Sequence, residues 1–348
     1  MSRFLSARAQ KLTPYVAGLQ PQEPGWIKLN TNENPYPPSP KVTQALQNFN
    51  LSRLRLYPPS DGGMLRQTIA ENEGVDISQV FCGNGSDEVL ALAFQAFFAG
   101  KTRVLTPDIS YGFYPVWGEI FDVGLQIIPV REDLAINPAD YTDGNGVVIA
   151  NPNAPTSLAL SLDEISAIAR QNPNGLVLID EAYIDFSTVN SAATLLDEFE
   201  NLLIVRTFSK SHSLAGLRIG YAIANPMIIE GLMRVKDAFN SYPLDFLAQT
   251  AASAAICDRD YLDETRGKTI ATRNTTSTNL HALGYHVLPS HTNFLLIQTP
   301  RAGELYQHLL NHKILARYWD KPRLNEYLRV SIGTDAEMEA FIACVKAF

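Results

Sequence analysis

Six apolar runs between residues 104 and 225 constrain this chain more than any other feature. They are VLTP (104–107), GLQIIPV (124–130), GVVIANP (146–152), GLVLIDEAY (175–183), LLIVRTFSK (202–210) and IGYAIAN (219–225). Four of them are rich in Val, Ile and Leu without apolar–polar alternation, as in strands covered on both faces of a mostly parallel sheet. Most segments between the runs have helical spacing, which the crossovers of such a sheet require. The last run follows its predecessor too closely for a crossover helix, so it is expected to be antiparallel. The reading is α/β, with helices on both faces of the sheet and a smaller α+β domain appended.

The flanks set the expected boundaries. Residues 1–35 read as an extended arm, rich in Pro, Asn and Gln, that joins the small domain or a partner subunit. Ser39-Pro40 then supplies an N-cap and a proline at the first helical position, with Val42, Ala45, Leu46 and Phe49 as the apolar stripe. The large domain is expected over 36–235 and the small one over 236–348. The closing helix opens with the capping box Thr334-Asp335-Ala336-Glu337 and carries Met338, Phe341, Ile342 and Val345 on one face.

Composition excludes several functions. A net charge of −8 over 348 residues disfavours nucleic-acid and anionic-membrane partners. No apolar run reaches 18 residues, and the start, MSRFLSARAQKLTPY, lacks the apolar core of a secretory signal, so a cytoplasmic location is expected. Cys82, Cys257 and Cys344 are widely spaced in apolar surroundings and read as buried free thiols. His308 and His312 stand four apart without the glutamate of a metalloprotease helix, and read as a solvated flank. No metal site is expected.

Three polar clusters fall at the carboxyl ends of expected strands, where open α/β sheets bind ligands. In FCGNGSDEVLALAFQAFF (81–98), the Gly-rich turn Gly83-Asn84-Gly85-Ser86 opens a helix with the stripe Leu90, Phe94 and Phe97. Such a turn offers backbone N–H groups and a positive helix end to a phosphate, yet taken alone it is more often a plain cap. In LVLIDEAYIDF (176–186), Asp180 can be a metal ligand, a general base, a cap or the partner of a buried cation. In IVRTFSKSHSLAGLRIGY (204–221), Lys210 ends a buried-looking strand and Arg218 follows eight positions later. Each of these is unremarkable singly. A phosphate cradle, a carboxylate and a lysine on neighbouring strand ends together suit pyridoxal 5′-phosphate.

The chain resembles the fold-type I pyridoxal-phosphate aminotransferases of the class II subgroup, specifically the histidinol-phosphate aminotransferase family. The resemblance runs nearly end to end: LTPY (12–15), LNTNENPYPPSP (29–40), LRLYPPSDG (54–62), GNGSDE (83–88), NPNAPT (151–156), IDEAYIDF (179–186), TFSKSHSLAGLRIGY (207–221) and YLRVSIGT (327–334). It implies that Lys210 is the Schiff-base lysine, Asp180 the partner of the pyridine nitrogen, and Tyr183 a bond to the phenolic oxygen. Tyr111 would stack on the ring. Gly85, Ser86, Asp87, Ser209 and Arg218 would hold the phosphate, joined by Tyr57 from the other subunit of a homodimer. Arg329 resembles the substrate-carboxylate arginine, and Tyr15, Asn32 and Arg317 look like further substrate contacts.

One departure stands out. Where the family commonly shows Asn-Asn-Pro-Thr-Gly, this chain has Ala154 at the second Asn and Ser157 at the Gly. Asn153 is the candidate to replace the lost contact with the cofactor. The implied reaction moves an amino group between L-histidinol phosphate and 2-oxoglutarate in histidine biosynthesis. Alternatives are an aromatic-amino-acid aminotransferase, an amino-acid phosphate decarboxylase and, more remotely, a non-catalytic regulator that binds the cofactor.

Overall fold

The computed structural model describes residues 2–15 and 18–348. After a short β1 (Ile27–Lys28), the central strands are β2 (Val80–Gly83), β3 (Val104–Pro107), β4 (Leu125–Ile128), β5 (Gly146–Ala150), β6 (Leu176–Asp180), β7 (Leu202–Thr207) and β8 (Gly220–Ala224). They lie in the order β2-β8-β7-β6-β5-β3-β4. Strands β3 to β7 are parallel, and β8 runs antiparallel to both β7 and β2, as its short connection requires.

The helices are α1 (Ala7–Lys11), α2 (Pro40–Gln47), α3 (Gly63–Glu73), α4 (Gly85–Ala93), α5 (Tyr114–Phe121), α6 (Leu162–Gln171), α7 (Pro226–Phe239), α8 (Phe246–Ile256), α9 (Arg259–Ala282), α10 (Ala302–Asn311) and α11 (Asp335–Lys346). Side chains alternate across the sheet, and both faces are apolar. Val147 and Ile149 of β5 pack towards α6, whereas Val148 and Ala150 pack towards α4, α5 and α7. That double covering is why these strands read as unbroken apolar runs.

A second body holds β9 (His286–Val287), β10 (Phe294–Gln298), β11 (Ile314–Leu315), β12 (Arg317–Tyr318) and β13 (Tyr327–Ser331). Four of these form an antiparallel sheet in the order β12-β13-β10-β9. The remaining strand, β11, pairs in parallel with β1, so the arm is stitched to this C-terminal body.

Three expectations change. The boundary at 235/236 falls inside α7, and α8 packs on α2 and α3 in one core with Leu65, Ile69, Val80 and Tyr221. Both the helix length and the packing partner change only after α8, where the 24-residue α9 begins. The stripe of α4 continues through a wide π turn at Phe94–Phe98, which buries Phe98 fully and leaves Phe97 half-buried. An extra residue in that turn shifts the inward position by one. Cys82 and Cys344 are buried free thiols, but Cys257 is exposed at the end of α8.

The start of α4 approaches β8 so closely that a Cβ at Gly220 would lie 2.3 Å from the backbone nitrogen of Ser86. Backbone cannot rotate away as a side-chain tip can. Gly220→Ala is expected to cost about 1–3 kcal/mol of stability, read by chemical denaturation, and to displace the N-terminus of α4. A variant as stable as wild type would show that the two segments separate freely.

Candidate active site

The carboxyl ends of β5, β6 and β7 and the N-terminus of α4 enclose a cleft of about 120 Å³. Beyond β7 the chain doubles back, with Phe208 N–H donating to Ile219 O (3.0 Å) and Leu214 N–H to Phe208 O (3.0 Å). This tight loop presents Ser209 and Lys210 to the cleft. The half-buried Lys210 donates from Nζ to the carbonyl of Thr31 (3.2 Å) and lies 5.6 Å from the Tyr183 ring centre.

Asp180 ends β6 and is 5 % exposed. Its Oδ2 accepts from the Tyr114 hydroxyl (3.0 Å) and its Oδ1 from the Ala182 N–H (3.1 Å). Burial pushes its pKa up to about 6, and the charge of Asp87 adds to the rise. The two hydrogen bonds and the charge of Lys210 act the other way. A buried carboxylate in this position gains most from a cation delivered into the cleft. A protonated pyridine nitrogen is such a cation.

The opposite end of the cleft suits an anion. Among the described residues no side chain caps α4, and Gly85 at its start has a φ of +82°. A Cβ there would meet Arg218 Nη2 at 2.6 Å, so glycine permits the guanidinium to lie over the helix end. Arg218 contacts Asp87 Oδ2 (3.1 Å) and Ser209 Oγ (3.4 Å), and the Tyr111 hydroxyl donates to Asp87 Oδ1 (2.7 Å). Open N–H groups, Ser86, Ser209 and an arginine fork are a phosphate's complement. Carboxylate at one end, anion cradle at the other and a lysine beside them fit pyridoxal phosphate.

Arg317 and Arg329 stand outside the lining of the cleft and are register partners on β12 and β13. Arg329 donates from Nη2 to Asn30 O (2.8 Å), and its guanidinium lies 5.2 Å from the Phe294 ring centre and 5.3 Å from that of Trp319. Its Nε is buried and has no hydrogen-bond partner among the described residues. Burial lowers the pKa of this arginine, and the charge of Arg317 lowers it further. An anionic substrate group would relieve both costs. Tyr15 stacks on Phe113 with ring centres 4.4 Å apart.

The remaining expected residues lie elsewhere. Asn153 does not line the cleft: its side chain accepts from Ser110 Oγ (2.8 Å) and donates to Ile109 O (2.9 Å) and Thr156 Oγ1 (3.0 Å). Its polar atoms are thereby occupied within the chain, and Ala154 itself forms the wall. Asn32 is buried outside the lining, and reaches the site through its bond to the Tyr183 hydroxyl (3.0 Å). Tyr57 is 79 % exposed and stacks on Tyr242. Tyr114 was missed. Its only signal was its place three residues after Tyr111 in YGFYPVW, which does not distinguish a core tyrosine from a carboxylate partner.

Comparison with known proteins gives the family. Residues 24–345 match the model of the aminotransferase class I and II family, and the chain belongs to that family. Among its relatives are histidinol-phosphate aminotransferases, 48% identical over 352 residues in both Marinomonas sp. and Bordetella parapertussis, with 99% of each chain covered. Among solved structures, a putative histidinol-phosphate aminotransferase from Erwinia carotovora atroseptica has a TM-score of 0.85 at 26% identity, covering 93% of this chain and 96% of its own. The histidinol-phosphate aminotransferase of Sinorhizobium meliloti, solved in complex with pyridoxal-5′-phosphate, shares the fold at a TM-score of 0.90 and 23% identity, with coverage of 100% and 98%.

Tyr114→Phe removes a donor from a buried carboxylate, an interaction of about 1.5–3 kcal/mol. The variant is expected to fold, but to bind pyridoxal phosphate roughly ten- to a hundredfold more weakly in an absorbance titration of the apoprotein. Unchanged affinity would show that Asp180 does not depend on Tyr114.

Proposed function

We propose that this protein is a pyridoxal-phosphate-dependent transaminase acting between L-histidinol phosphate and 2-oxoglutarate, giving imidazole acetol phosphate and L-glutamate in histidine biosynthesis. The observation that carries the reading is Lys210 beside the buried Asp180 at adjacent strand ends, on a chain whose full-length relatives have this name. Its place is the cytoplasm. Among the described residues no helix is long and apolar enough to cross a membrane.

Pyridoxal phosphate, when bound, supplies a ring that draws electrons from the substrate's α-carbon. Asp180 holds the proton on the ring nitrogen, and Tyr114 keeps that carboxylate oriented. Tyr183 donates to the ring's phenolic oxygen, since its own oxygen already accepts from Asn32. Tyr111 packs against the ring face. Gly85, Ser86, the backbone of Asp87, Ser209 and Arg218 hold the phosphate. The Lys210 amine would take up the proton released from the substrate α-carbon and serve as its shuttle. Arg329 holds the substrate anion, with Arg317 and Tyr15 at its distal group, while Phe294 and Trp319 keep water from the arginine.

Tyr57 reaches the phosphate of the neighbouring site in a homodimer. Its exposure supports this, together with that of Leu51, Leu54, Leu56 and Met64 around it. Mixing inactive Lys210→Ala protein with Tyr57→Phe protein is expected to regenerate some wild-type sites, read as activity above the sum of the two. No gain on mixing would confine Tyr57 to its own chain.

A substrate panel tests the reaction itself. Histidinol phosphate is expected to exceed phenylalanine and tyrosine in kcat/KM, because the aromatic amino acids leave phosphate-binding groups unpaired. Arg329→Lys is expected to lose about 2–5 kcal/mol of transition-state binding in both half-reactions, since each substrate places an anion there. Equal turnover of phenylalanine would favour an aromatic aminotransferase, and release of carbon dioxide from an amino-acid phosphate would favour a decarboxylase.

A further inference from the structure

Of the expected solvated flank only His312 is exposed. His308 lies half-buried at the end of α10 and its Nε2 contacts the Cys344 carbonyl of α11 (3.1 Å), while His312 Nδ1 contacts the carbonyl of His308 (2.8 Å). The two rings are 4.4 Å apart. His308, His312 and Cys344 each offer one donor atom, and the three lie within 4.8 Å of one another. We propose that these residues bind a borderline-soft divalent transition ion of the Zn²⁺ class, bridging α10 and α11 away from the catalytic cleft.

Two imidazoles and one thiolate are a preferred set for such an ion. Ligands 2.0–2.3 Å from a tetrahedral centre stand about 3.3–3.8 Å apart, so contraction by roughly 1 Å completes the set. Backbone carbonyls only accept hydrogen bonds. Each neutral ring therefore places its N–H on a carbonyl and keeps its second nitrogen as a lone pair, the arrangement that orients ligating imidazoles. As the sulfur–metal bond forms, the Cys344 thiol releases its proton to solvent. His312 is exposed, leaving the fourth position for water.

The holoenzyme, dialysed against a chelator, is titrated with Zn²⁺ in competition with a chromophoric chelator. One ion per chain is expected, weakened at least about tenfold in His312→Ala and in Cys344→Ala. Saturating Zn²⁺ is expected to raise the wild-type melting temperature by roughly 2–5 °C and to leave that of His312→Ala unmoved. Because His312 is exposed, its variant keeps the fold and its zinc-free transaminase activity. Equal binding by wild type and His312→Ala, or no stoichiometric binding, would overturn the site.

Discussion

The carboxyl group of Asp180, held away from water at the end of β6, is the constraint the rest of the site answers. Ionising it there is costly, and two hydrogen bonds with one nearby amine offset only part of that cost. Asp185, five residues on, is half-buried and behaves in the opposite way. Burial works against its ionisation too, but Arg206, His212 and the Ser211 hydroxyl outweigh it and hold its pKa below the usual range. The difference is a resident cation: Arg206 touches Asp185 at 2.5 Å and Glu73 at 2.8 Å. Asp185 is a finished ion pair, and Asp180 is half of one.

That finished pair also serves the site. Ser211, next to Lys210, donates to Asp185, which anchors the lysine loop to the charged cluster behind the sheet. From the other side the arm contributes Thr31 to Lys210, Asn32 to Tyr183 and Asn34 Nδ2 to the carbonyl of Ser211 (3.0 Å). The lysine is thus gripped between a rigid ion cluster and the first segment of the chain.

Much of this was legible in the sequence because sheet burial writes itself as composition. Strands covered on both faces had to be continuous Val, Ile and Leu, and the strand without room for a crossover had to reverse. The Gly-rich turn, Asp180 and Lys210 were legible because each polar group interrupts or ends an apolar run. What escaped depends on direction. Asn153 and Ala154 are neighbours, and only the three-dimensional turn decides which one faces the cleft. Tyr114 reads as an aromatic core residue, and its hydroxyl's target lies 66 positions away. The π turn that exchanges Phe97 for Phe98 leaves no mark in the residue pattern, and neither does the attachment of α8 to α2 and α3.

The pairing of β1 with β11 has a consequence for how the protein is made. Ile27 leaves the ribosome long before its partner Ile314, which stands far along the chain. The sheet, the lysine loop and the cradle of α4 can all assemble while the arm has nowhere to dock. Only with β11 and β13 in place can Leu29 receive its bonds and bring Thr31 over Lys210. The reactive amine therefore acquires its cover only after β11 and β13 have been made, and a chain terminated before them would carry the catalytic loop without it.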